Sequence, residues 1–208
     1  MRYMPREEIA NTISHGLGLV LALVAVPVLV LSAMRAGDVR FLIGVSVFGA
    51  TMILLYLAST LYHSTTHEEA KRLFRLFDHT AIFLLIAGSY TPFALGVLRG
   101  PWGWSMLTAV WTLAIVGITL KIIKRTRHSG ISILLYVLMG WLAVIATKPI
   151  LELIPLPGIL LILAGGLAYT GGLAFFAAQR IKYHHFIWHL CVIAGTICHY
   201  FAVLWYAA

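Results

Sequence analysis

The sequence predicts an all-α integral membrane protein, a bundle of seven transmembrane helices. Three observations carry this. Of the 208 residues, 61% are hydrophobic and 11% charged, against about 25% charged in a soluble domain. The apolar residues form continuous runs of roughly 20, the length that crosses a bilayer as a helix. The charged residues gather in short breaks between those runs. A β-barrel is the other spanning architecture, but its strands must alternate in polarity, and these runs do not.

The spans are expected at 15–34, 41–63, 78–98, 102–123, 131–147, 158–178 and 185–206. Arg35 to Arg40 closes the first. A polar loop from Ser64 to Phe77, carrying Glu68, Glu69, Lys71, Arg72 and Arg75, follows the second. Arg99-Gly100-Pro101 ends the third, and Lys124, Arg125 and Arg127 follow the fourth. Lys148-Pro149 and Pro155-Leu156-Pro157 bracket a short amphipathic link after the fifth. The sixth holds Gly158, Gly165, Gly166, Gly171 and Gly172, small residues that let helix backbones approach. The first apolar run, Leu17 to Met34, is longer than the apolar stretch of a signal peptide and reads as an uncleaved first span. No internal boundary or repeat is visible, so 1–208 is expected to be one domain.

Lys and Arg set the orientation. Arg2, Arg6, Lys71, Arg72, Arg75, Lys121, Lys124, Arg125, Arg127, Arg180 and Lys182 fall on one side; Arg35, Arg40, Arg99 and Lys148 fall on the other. The positive-inside rule then places the N-terminus in the cytoplasm and the C-terminus outside. The net charge of +8 is read as topology and contact with anionic lipid, not as a nucleic-acid surface. Cys191 and Cys198 lie about 10 Å apart on one helix, beyond disulfide reach, and read as packing residues. Trp102, Trp104, Trp205 and Tyr206 read as an aromatic belt at the outer interface.

On this topology His15, His63, Asp78, His185 and His189 come from four spans to one membrane level. His185 and His189, four apart, share a helix face and can share one divalent ion. A third histidine from another helix completes three imidazoles with one position open, the catalytic arrangement for zinc. Asp78 can accept a hydrogen bond beside such an ion, and Ser59, four residues before His63, lies on the same face. Interfacial polarity is the competing explanation of the same pattern. His67 is either a further partner of the site or a solvated loop residue. His79 and His184 point away from their neighbours and read as interface residues, His128 as a solvated loop residue, and His199 as a hydrogen-bonded core residue. Glu8 and Asn11 either cap the first helix or close the site from below.

The segments Ser59-Thr-Leu-Tyr-His63, Phe77-Asp78-His79, Gly88-Ser-Tyr-Thr-Pro92-Phe93 and His185-Phe-Ile-Trp-His189 resemble the hemolysin III family. So does Glu8-Ile-Ala-Asn11-Thr-Ile-Ser14-His15. That family is the bacterial branch of the progestin and adipoQ receptor (PAQR) proteins, a superfamily that includes adiponectin receptors and alkaline ceramidases. The resemblance covers essentially the whole chain. It implies a zinc ion held by His63, His185 and His189 near the cytoplasmic face, with Asp78 and Ser59 as the accompanying polar pair; by their places in the sequence, His67, His15 and Asn11 are the candidates to surround them. It also implies a multi-pass protein of the bacterial plasma (inner) membrane. The long N-terminal segments of the animal receptors are missing, so a protein-hormone docking role does not carry over.

The function expected from these residues is zinc-dependent hydrolysis of an amide or ester bond in a lipid. Two alternatives belong to other classes: a receptor or sensor with structural zinc, for which His67 would supply a fourth ligand, and a cytolytic pore. A pore needs polar faces along several spans, and the middles of these spans are apolar.

Overall fold

The computed structural model of the protein describes residues 5–124 and 129–208. Arg2, Arg125, Arg127 and His128 lie outside the described residues. Every regular element among the described residues is helical: α1 (Pro5–Ala36), α2 (Val39–Ser64), α3 (Glu68–Leu95), α4 (Pro101–Lys124), α5 (Ser129–Gly140), a 3₁₀ turn (Leu142–Ala146), α6 (Thr147–Leu153), α7 (Leu156–Ala177) and α8 (His184–Tyr206). Among the described residues, seven helical segments are long and apolar enough to cross a membrane, α5 to α6 counting as one. Large apolar side chains face outward on them, Val24, Ile123 and Ile145 being about two-thirds exposed or more. Such a surface suits lipid and not water.

Two helices run further than the apolar runs indicate. α1 begins ten residues before His15, and α3 begins at Glu68, so most of the expected 64–77 loop is helical. Both starts carry acidic residues in the first turn, Glu7 and Glu8 in α1 and Glu68 and Glu69 in α3, where the helix dipole favours negative charge. His67 caps α3, its ring accepting from the Ala70 amide. Glu8 and Asn11 therefore sit inside α1 and do not cap it.

The fifth span departs the other way. It breaks at Gly140-Trp141, where a continuous helix over 131–147 was expected. Gly140 is a poor helix former, and in a bilayer the freed backbone groups must find partners within the protein. Tyr90 supplies them: its hydroxyl donates to Gly140 O at 2.8 Å and accepts from the Ala143 amide at 3.1 Å. The link expected around Lys148-Pro149 is the short helix α6.

α2 packs between α1 and α3, and α8 packs on α7 and α1 and reaches α3. The glycines of α7 divide into two sets. Gly158, Gly165 and Gly172 abut Tyr206, His199 and Trp188 of α8, so an added Cβ would collide; Gly166 and Gly171 face open space. The chain connectivity thus brings the start of α1, the end of α2, the start of α3 and the start of α8 to one end of the bundle.

Candidate metal centre

At that end His63, His185 and His189 form a buried group whose ligand atoms all lie within 4.8 Å of one another, and which can hold a metal ion. The ring nitrogens are sorted by their partners. Asn11 O can only accept, so the His189 Nδ1 that lies 3.3 Å from it is the protonated nitrogen. Ser14 Oγ, 3.0 Å from the same Nδ1, donates its own proton to Asn11 O. The His63 Nδ1 lies 2.9 Å from Glu8 Oε2, so it too is the donor. Both rings therefore present the Nε2 lone pair inward, the state a metal ligand requires.

The donor set fits zinc. His63 Nε2 and His185 Nε2 stand 3.2 Å apart. Two nitrogens each about 2.0–2.1 Å from a tetrahedral zinc would be separated by about 3.3–3.4 Å. The ring planes cross at 51° to 72°, so the three imidazoles converge and do not stack on one another. These features follow from helix placement: α8 supplies two histidines one turn apart, α2 brings His63 opposite them, and α1 backs His63 and His189.

A small cavity of about 20 Å³ adjoins the histidines, bounded by Asp78, His15, His79, His185 and His189. That is room for about one water. Asp78 is buried at 7% exposure. Ser59 Oγ is buried without a partner at hydrogen-bonding geometry, yet lies near enough to the Asp78 carboxyl to interact with it. His15 stacks flat on His189, ring centroids 3.5 Å apart, and neither of its nitrogens has a hydrogen-bond partner. The side chain of Asn11 is likewise buried and unpartnered. Four further residues of the small cavity, Leu55, Ile82, Trp188 and Val192, also line a larger one of about 120 Å³. This second cavity is almost wholly apolar and extends past Tyr90 and His199 toward Leu98 and Ile154.

Of the residues singled out in the sequence, His63, His185, His189, Asp78, Ser59, His15 and Asn11 come together here. His67 is exposed, occupied with its cap, and outside the three-histidine group. His199 is hydrogen-bonded to Ile162 O at 3.2 Å, and both cysteines are free thiols. Two contributors were not read from the sequence. His79 lines the small cavity in place of facing the interface, and Ser14 supports His189. Glu8, for which the sequence left open a cap or a place closing the site, reaches His63, in i, i+3, i+7 register with Asn11 and His15.

The haemolysin-III-related family model matches residues 3–200. The chain belongs to that family. It is 45% identical to Hemolysin-3 of Bacillus cereus over 206 residues, covering 99% of this chain and 94% of that one. It is 42% identical to the Hemolysin-3 homolog of Bacillus subtilis (strain 168) over 201 residues, covering 97% and 94%. At 26% identity over 213 residues, it is also similar to the human Monocyte to macrophage differentiation factor, covering 97% and 86%. That similarity is the distant link to the PAQR proteins. No solved structure matches the chain. This haemolysin-III-related chain is thus a membrane protein with seven spanning helices and a buried histidine group that can hold a metal.

Proposed function

We propose that the protein is a zinc-dependent hydrolase of an amide or ester bond in a lipid, with its site near the cytoplasmic face of the bacterial plasma membrane. The observation that carries the proposal is the adjacency of three elements: convergent imidazoles, a buried carboxyl, and an apolar cavity that shares four wall residues with theirs. His63, His185 and His189 would hold the ion. When bound, zinc supplies Lewis acidity toward a carbonyl and acidifies water. The His63 and His189 rings are already locked with Nε2 inward, so no tautomer change is needed. Asp78 accepts the proton of a water in the 20 Å³ cavity and returns it to the leaving amine or alkoxide. Ser59 interacts with the Asp78 carboxyl and steadies it. Leu55, Ile82, Trp188 and Val192 border both cavities, and an acyl chain would lie in the larger one while its carbonyl meets the histidines. The same walls keep bulk water out.

The test is turnover of a panel of ceramides, N-acyl amides and phospholipids by zinc-loaded protein in detergent or liposomes. Release of fatty acid by the wild type, absent with Asp78→Asn, supports the proposal; no cleavage across the panel overturns it. The orientation is checked separately. A C-terminal reporter active only outside the cytoplasm is expected to light up, and one active only in the cytoplasm is expected to stay dark.

A further inference from the structure

We propose that Glu8 is a positioning residue of this metal centre, holding the His63 ring from behind and balancing part of the ion's charge. The inference rests on the reading that the three histidines bind a metal. Glu8 Oε2 lies 2.9 Å from His63 Nδ1, the His63 side chain being fully buried and the Glu8 side chain 15% exposed. The other ring braced from behind, His189, meets only neutral groups, Asn11 O and Ser14 Oγ. His63 is therefore the one of these two braced by an anion. A carboxylate behind an imidazole fixes its tautomer and makes its far nitrogen a better ligand.

Charge gives a second reason. Three neutral imidazoles leave a divalent ion uncompensated in a low-dielectric bundle, where an unpaired charge is costly. Asp78 and Glu8 are the two carboxylates at the site, and together they carry the opposite charge. Glu8 Oε1 is buried without a hydrogen-bond partner, so the group is not satisfied by local bonding alone. Lys71 approaches Glu8 Oε2 at 3.5 Å, and this offers the competing explanation: Glu8 merely clamps α1 to α3 through an ion pair.

Zinc affinity separates the two. It would be measured by chelator competition on the full-length protein in detergent, with thermal unfolding of the metal-free and zinc-loaded forms alongside. For Glu8→Gln we expect zinc binding 10- to 100-fold weaker, a smaller zinc-induced rise in Tm, and an unchanged metal-free Tm. Lys71→Ala removes the ion pair and is expected to leave zinc affinity at or above the wild-type level. Equal affinity in wild type and Glu8→Gln overturns the inference while leaving the three-histidine reading intact. Equal weakening by Glu8→Gln and Lys71→Ala, with a lowered metal-free Tm in both, overturns it in favour of the clamp. A wild type that binds no zinc removes the three-histidine reading, and the role of Glu8 with it.

Discussion

The two ends of the bundle both carry ionisable residues, and they use them differently. At one end Asp38 caps α2 through the Arg40 and Phe41 amides and pairs with Arg99, whose side chain is half exposed. Asp38 and Arg99 thus have each other as partners and remain accessible to solvent. At the other end His15, His63, Asp78, His185 and His189 are all buried, and several polar atoms around them have no partner. Burying polar groups is costly unless something compensates. The first end needs only loop and cap chemistry to explain it. The second is explained when a cation and a water belong among its groups.

This contrast can be broken in graded ways. The largest effect is expected at the histidines. Alanine at His63, His185 or His189 should take zinc retained through purification from about one per chain to none, as read by elemental mass spectrometry. Asp78→Asn should come next: zinc retained, but lipid turnover lowered about 10²- to 10⁴-fold in the fatty-acid release assay. A smaller effect is expected away from both ends. Gly165→Leu, which drives a side chain into His199, should cost about 1–3 kcal/mol of stability, whereas Gly171→Leu, exposed and facing open space, should stay within about 0.5 kcal/mol. Thermal unfolding in detergent compares the pair. The smallest belongs to the opposite end: Arg99→Ala should cost about 0.2–1 kcal/mol and leave bound zinc unchanged. A loss of zinc there would end the contrast.

The sequence already shows why the two ends differ, because hydropathy places the spans and the spans place the histidines. His63 at the end of one run and His185 and His189 at the start of another share one membrane level if the topology holds, and packing then decides that they meet. Hydropathy marks only the part of a helix that lipid touches, however. Glu and Lys are good helix formers, so α1 and α3 continue through Glu7, Glu8, Glu68 and Lys71 beyond the apolar runs. That extension carries Glu8 to His63, and an apolar count cannot register it. The break at Gly140 is illegible for a related reason. A single glycine is common in membrane helices, and what makes this one a break is Tyr90, fifty residues away in sequence and adjacent only in the fold. The apolar cavity has no local signature either, since its walls come from most of the helices.

The most direct test of the three-histidine centre is zinc X-ray absorption on the detergent-purified wild type. Three imidazole nitrogens and one oxygen neighbour, all at about 2.0–2.1 Å, are expected, with the imidazole signal lost in the variant carrying alanine at His63, His185 and His189. A wild type without bound zinc, or zinc with an unchanged imidazole signal in that variant, would contradict it.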